Sequence, residues 1–202
     1  ASTPIINMLI GFFMGISTGA GVVIAQFFGA GNTCKMKRAI HNSIALTLVM
    51  GVVLTIVGLL FNDPILKAIG VPSEVFSEAS TYLSIYFWSL IFVMVYNMGS
   101  GILRSVGDSK RPLYFLIFSS VVNIILDFLF VKYFHFGVAG AGYATLIAQA
   151  ISAIMVMYVL MKTEDDYKVV LKEIGFDKEI LLKIIKIGLP TGFQQSIVSL
   201  SN

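Results

Sequence analysis

The sequence predicts an all-α, polytopic membrane protein, and three observations carry that prediction. The first is composition: of 202 residues, 57% are hydrophobic and only 12% are charged. Soluble domains carry about 25% charged residues, and the mean hydropathy here is +0.89. A bilayer is the solvent in which so little polar surface suffices. The second is the arrangement of apolar residues in long runs, and the third is a one-sided distribution of the cations between those runs.

Five runs, at 4–28, 40–61, 82–103, 113–134 and 138–161, each approach the ~20 residues needed to cross ~30 Å of hydrocarbon. Backbone groups in hydrocarbon must be satisfied within the segment, so these runs are expected to be helices. The first contains no charged residue. A sixth run begins near residue 184 and is expected to continue past Asn202. The chain starts at Ala1 with no charged leader, so a signal peptide is not expected, and both ends read as cut. The 162–183 stretch has six acids among its lysines and reads as an amphipathic or solvated connector. Within 62–79, Asn62-Asp63-Pro64 reads as a turn, and Ser73 in Val71-Pro72-Ser73-Glu74 as the cap of a helix start.

The charges set the orientation. Lys35, Lys37 and Arg38 follow the first run, and Arg104, Lys110 and Arg111 follow the third. Lys162, Lys168, Lys172, Lys178, Lys183 and Lys186 follow the fifth. If the runs alternate, 12 of the 14 Lys and Arg residues share one side, and only Lys67 and Lys132 face the other. The positive-inside rule makes the lysine-rich side cytoplasmic. A missed or invented helix would scramble this asymmetry, so it checks the span count. The net charge of +3 therefore speaks of orientation in a lipid bilayer and not of nucleic-acid binding.

Catalytic and metal patterns find little support. The single cysteine, Cys34, allows no intrachain disulfide and no zinc-type spacing. His41 and His135 sit near the ends of runs and read as interfacial. There is no nucleophile–base arrangement and no His-Glu-x-x-His, so an enzyme is not expected, nor is a cofactor. Gly137-Val-Ala-Gly-Ala-Gly142 has dinucleotide-loop spacing, but no strand precedes it and a membrane helix follows, so that reading is rejected.

Asp127 is the sharpest feature. Of 11 acids it alone lies deep within a span, where an ionisable side chain costs at least ~2.5 kcal/mol and function is the default reading. Asn123 precedes it by four residues, on the same helical face. A carboxylate with an amide oxygen can hold a sodium ion, and a desolvated carboxylate can carry a proton. The competing reading is an interhelical hydrogen bond from Asp127 to a neighbouring helix. Gly11, Gly15 and Gly19, spaced by four, indicate close helix packing. Gln26, Asn42, Asn97, Gln149, Gln194 and Gln195 either line a cavity or join helices through hydrogen bonds. Pro4 and Gly99 would permit bending.

Four segments in this order resemble the multidrug and toxic compound extrusion (MATE) family. They are Ala25-Gln26-Phe27-Phe28-Gly29-Ala30-Gly31, Gly101-Ile-Leu-Arg104-Ser-Val-Gly107-Asp108-Ser-Lys-Arg-Pro112, Asn123-Ile-Ile-Leu-Asp127 and Gly137-Val-Ala-Gly140-Ala-Gly142-Tyr-Ala-Thr145. The resemblance covers the whole chain. It implies a twelve-helix antiporter of two six-helix lobes, of which this chain would supply helices two to six at 1–161, the inter-lobe connector at 162–183 and the start of helix seven at 184–202. It also implies a multi-pass protein of a prokaryotic inner (plasma) membrane, exchanging Na+ or H+ for small organic, often cationic, compounds.

The resemblance further implies a cation site in the N-terminal lobe, where Asn123, Asp127 and Thr145 match three of the family's ligands. These three would also be the metal ligands if the ion is Na+. The fourth ligand, an aspartate on the first helix, would belong to the missing remainder of the chain, so the 202 residues alone are expected not to transport. After Gly188-Leu189-Pro190 no acid follows through Asn202. The NorM-like branch has a glutamate there, so its absence favours a DinF-like member. Alternating access would then follow from a change of buried charge at Asp127, if the ion binds the two states differently. The nearest rival is a lipid-linked oligosaccharide flippase of the same superfamily, which would present a cationic cavity. No span here has Arg or Lys near its middle. A membrane enzyme or receptor-like protein is the rival from a different class.

Overall fold

The computed structural model describes the backbone of residues 3–201 and the side chains of residues 8–198 and 201. Its helices are α1 (Thr3–Gly29), α2 (Thr33–Leu60), α3 (Asn62–Ile69), α4 (Phe76–Ser105), α5 (Lys110–Phe128), α6 (Gly137–Lys162) and α7 (Lys178–Ser201). No strand occurs among the described residues. Five helices are long and apolar enough to cross a membrane, and they coincide with the five apolar runs. The protein is a multi-pass, all-α membrane protein.

Helix α4 is the hub, packing against α1, α2 and α6, with α3 and the start of α5 at its two ends. In lipid the apolar effect does not drive helices together, so close contact depends on small residues. Gly51 of α2 admits Ile91, and Gly99 of α4 meets Val156 of α6, where an added Cβ would lie 2.9 Å from its methyls. Gly99 thus serves packing. Pro4, the other proposed bending point, has a side chain outside the described residues. The tightest contact is between α1 and α7. Gly15 meets the backbone of Gly192, and a Cβ on Gly19 would come within 2.6 Å of Gly188. The glycine spacing therefore encodes packing, as the sequence suggested.

The main core lies in the lysine-rich half. It includes Val23, Ile24, Ile40, Met98, Leu103, Val156, Leu160 and Ile184. Its floor is the 163–177 connector, whose apolar side packs on the helices while most of its residues stay exposed. Val169 is buried, and its N–H donates to the Leu160 carbonyl at 2.8 Å. His41, 3% exposed, accepts the Val170 N–H at Nε2, 3.0 Å away, while Nδ1 lies 2.6 Å from the Lys37 carbonyl. An N–H facing Nε2 and a carbonyl facing Nδ1 place the ring hydrogen on Nδ1. The next residue, Asn42, donates to the Asp177 carbonyl at 2.8 Å. Asp177 accepts the Glu179 and Ile180 N–H groups at Oδ1 and lies 3.6 Å from Arg38. Asp177 thereby caps α7, which starts at Lys178 and not near residue 184. His41 is a buried tether rather than an interfacial residue.

Two local readings in the outer loop need correction. Asn62-Asp63-Pro64 does not make a turn; it opens α3, with Pro64 in the first turn, where its missing N–H is tolerated. Asn62 is buried and donates to Ser80 and Ser84 of α4. Ser73 does not cap a helix. It lies in a turn closed by the Val75 N–H to the Pro72 carbonyl, and α4 begins at Phe76 with no side-chain cap.

Candidate cation site

Helix α5 is the outlier of the bundle. Only Pro112 and Ser119 are buried along it, whereas Leu113, Ile117, Val121, Ile124 and Phe128 are exposed. Its start is fixed by sequence. Gly107 takes φ +92, the Asp108 N–H returns to the Leu103 carbonyl at 2.9 Å, and Asp108 Oδ1 accepts the Arg111 N–H. Asp108 also pairs with Arg111 at 3.3 Å, and the Tyr96 hydroxyl donates to the Pro112 carbonyl at 2.7 Å. The Gly107-Asp108-Ser-Lys-Arg111-Pro112 motif is thus the α4–α5 turn.

The α6-facing stripe of α5 carries Pro112, Phe115, Ser119, Asn123 and Asp127, at spacings of three and four. Asn123 and Asp127 are therefore one turn apart on the only well-packed face of the helix. Helix α6 is rich in small buried residues, Gly140, Gly142, Ala144 and Ala148, of which Gly142 abuts Ile85 of α4, and Thr145 stands among them. Asn123 Nδ2 lies 3.4 Å from Thr145 Oγ1, a long contact, and the Thr145 hydroxyl donates to the Ala141 carbonyl at 3.1 Å. With its hydrogen on Ala141, Thr145 Oγ1 turns a lone pair towards Asn123. The structure brings Asn123 and Thr145 together across the α5–α6 contact, with Asp127 on the same stripe.

Asp127 Oδ1 is buried and makes no hydrogen bond. The interhelical hydrogen bond that was the alternative to a functional role is absent at that oxygen. A buried acceptor left unmatched costs about 1–3 kcal/mol, more when charged, and such orphans call for an explanation. Counting from Lys110 at 1.5 Å per residue, Asp127 lies about 26 Å along α5, in the outer half of the span. Immediately after it the helix widens into a π turn over Leu129–Tyr133. The Phe134 N–H reaches back to Leu129 and the Phe136 N–H to Phe130. This turn drives Phe130, Phe134 and Phe136 into one aromatic cluster, with His135 at φ +53 and Gly137 at φ +60. Single π turns occur often at functional sites. Nothing in the residue pattern of 129–133 announces it.

The remaining polar candidates divide. Asn42 is buried and holds the connector. Asn97 lines a cleft of about 420 Å³ between α1 and α4. Gln149 is half-buried, and Gln26, Gln194 and Gln195 are exposed. Among the described residues no group of three His, Cys, Asp or Glu side chains could hold a metal ion, so the ligands that this segment itself could add beside Asp127 are neutral oxygens.

The sequence model of one family, described as MatE, matches residues 1–129. The chain belongs to the MatE family. Its relatives include the probable multidrug resistance protein YoeA of Bacillus subtilis (strain 168), 34% identical over 98% of this chain and 44% of its own length. The multidrug export protein MepA of Staphylococcus aureus (strain MRSA252) is 30% identical over 96% of this chain and 43% of its own. Among solved structures, an inward-facing multidrug resistance MATE family transporter of the MOP superfamily superposes with a TM-score of 0.88 at 30% identity, covering 98% of this chain and 46% of that one. An outward-facing one gives 0.87 at 30% identity, covering 96% and 43%. The chain thus spans less than half the length of the MATE relatives it matches.

Proposed function

We propose that the protein to which this chain belongs is a plasma-membrane antiporter that couples entry of Na+ or H+ to export of small organic compounds, often cationic, by alternating access. The relatives named for multidrug resistance and multidrug export support the export reading. The single observation that carries the coupling reading is the buried, unmatched Asp127 oxygen, one helical turn along α5 from the Asn123–Thr145 contact. A proton would neutralise that carboxylate. A sodium ion would take it as a ligand together with Thr145 Oγ1 and, after rotation of the Asn123 amide, Asn123 Oδ1. Either event changes a charge at low dielectric, which biases the helix arrangement if the two states bind the ion unequally. The equal likeness to an inward-facing and an outward-facing relative supports movement of this segment largely as one body.

In this reading residues 1–161 are helices two to six of the N-terminal lobe, 162–183 contain the inter-lobe connector and 184–202 belong to the seventh helix. The exposed flank of α5 would be covered by the remainder of the chain, including a first helix with a membrane-embedded acid. The lack of an acid after Pro190 supports the DinF-like branch. A flippase for lipid-linked oligosaccharides is less well supported, because no span carries a cation near its middle. The test is Asp127→Asn in the full-length protein, expressed in cells loaded with an organic cation. The proposal expects normal membrane insertion with efflux lost; unchanged efflux would remove Asp127 from the coupling mechanism.

A further inference from the structure

We infer that His41 is a proton-sensitive latch on the connector. Neutral, it holds the connector through the Val170 N–H; protonated, it exchanges that partner for the Glu173 carboxylate and lets Val170 go. The inference goes beyond the transport reading, because the latch needs neither an ion gradient nor an exported compound to act.

Both ring nitrogens of His41 are engaged, and one protonation state satisfies both. Nδ1 faces the Lys37 carbonyl at 2.6 Å, and Nε2 faces the Val170 N–H at 3.0 Å. The hydrogen on Nδ1 leaves a lone pair on Nε2 to accept the Val170 N–H. An imidazolium carries a hydrogen on each nitrogen, so two N–H groups would then meet across 3.0 Å. Imidazole is the side chain whose charge changes between about pH 5 and 8. The bond to Lys37 lies within α2 and survives that change. The bond to Val170 joins α2 to the connector and does not.

The second partner is already at hand. Glu173 Oε2 lies 3.8 Å from His41 Nε2, and the Glu173 side chain is 60% exposed. That separation is too long for a hydrogen bond, and a small side-chain rotation closes it. Val170 is 37% exposed, so water can take its N–H when His41 releases it. Val170 is extended, at φ −113 and ψ 119, and leads directly into the turn Leu171–Glu173. Release of Val170 and capture of Glu173 therefore act on the same four residues.

His41 is buried, yet it forms part of the wall of a pocket of about 460 Å³ between α2 and the connector. Protons can reach it there. The titratable and charged groups around it are Cys34, Lys37 and Arg38 of α2 and Glu173 and Asp177 of the connector. Among the described residues α6 and α7 add none to this pocket. Arg38 pairs with Asp177 at 3.6 Å, and Asp177 also accepts the first N–H groups of α7. Lys37 thus opposes the imidazolium and Glu173 favours it. Asn42 keeps its own hold on the Asp177 carbonyl, so loosening is confined to the stretch around Val170.

The experiment is hydrogen exchange by the purified full-length protein in detergent. It is read as protection relative to an unstructured chain at the same pH, which cancels the intrinsic pH dependence of exchange. Protection at Val170 should fall about tenfold from about pH 8 to about pH 5.5, with the spans of α2 and α6 unchanged. In His41→Gln an amide oxygen can accept the same N–H and takes no proton, so protection should stay high at both pH values. Glu173→Gln should leave protection at high pH as it is and move the fall about 0.5 pH unit lower, because the imidazolium loses its partner. Flat protection in the unmodified protein, or an equal fall in His41→Gln, would overturn the inference. If His41→Gln is unprotected at both pH values, the Glu173→Gln midpoint decides, and an unmoved midpoint overturns it. Neither result bears on the export reading, which Asp127→Asn tests separately.

Discussion

The α1–α7 contact and the α5–α6 contact join helices by opposite means. At the first, Gly15 and Gly19 meet Gly188 and Gly192, backbone against backbone, with the Ser196 hydroxyl donating to the Met8 carbonyl one turn further along. At the second, Asn123 meets Thr145 through a long polar contact, and one Asp127 carboxylate oxygen stays buried and unmatched. The first surface has every feature of a fixed contact. The second tolerates a polar defect in hydrocarbon, on a helix with few other buried residues. The difference teaches that close packing and buried polar groups are carried by separate helix pairs here, as the proposed coupling site requires. Substitutions should therefore divide into those that abolish folding and those that leave a folded, uncoupled protein.

The largest effect is expected at the glycine contact. Gly15→Leu drives a side chain into the Gly192 backbone, which cannot retreat as a flexible side chain can. The full-length variant should fail to give a single folded species on size exclusion in detergent; a normal profile would show that α7 can move away freely. Next comes the tether at His41. His41→Ala removes the acceptor of the Val170 N–H and should cost about 1–3 kcal/mol locally. Hydrogen exchange at Val170 should then speed by about ten- to hundredfold, with the span helices still protected.

Smaller effects are expected at the neutral ligands. Asn123→Ala should weaken ion dependence by about tenfold, or ~1.4 kcal/mol, without loss of thermal stability. Thr145→Val removes one oxygen and the 3.4 Å contact and should weaken it only a few-fold. The smallest effect belongs to the outer flank of α5: Ile124→Ala, at a side chain 68% exposed, should change the stability of the 202-residue chain by no more than about 0.5 kcal/mol. A larger loss is expected in the full-length protein, where the remainder of the chain is proposed to cover this flank.

The parts of this molecule that were legible in the sequence are those fixed by the solvent. Hydrocarbon forces long apolar helices, so the five spans follow from residues alone. The four-residue glycine spacing likewise foretold a close crossing, though not that α7 would be the partner. Asn123 and Asp127 could be paired by helical periodicity, but Thr145 came from family resemblance, since no local rule links residues 22 apart. What stayed hidden depends on contacts between distant segments. The connector read as either amphipathic or solvated because its charges are evident and the anchoring role of the single buried Val169 is not. His41 looked interfacial because its partner is a backbone N–H at Val170, which has no sequence signature. The π turn after Asp127 is set by how α5 meets α6 and the aromatic cluster. Ser73 failed as a cap because the 72–75 turn leaves it short of the first helical N–H groups.

The central claim is that Asp127 couples an ion to transport without being needed for the fold. The most direct test places full-length protein, unmodified or Asp127→Asn, in liposomes and measures movement of an organic cation with and without an imposed Na+ or H+ gradient. The account predicts that the unmodified protein accumulates the compound only with a gradient, and that the folded, compound-binding variant responds to neither. Gradient-driven accumulation by Asp127→Asn at the unmodified rate would contradict it.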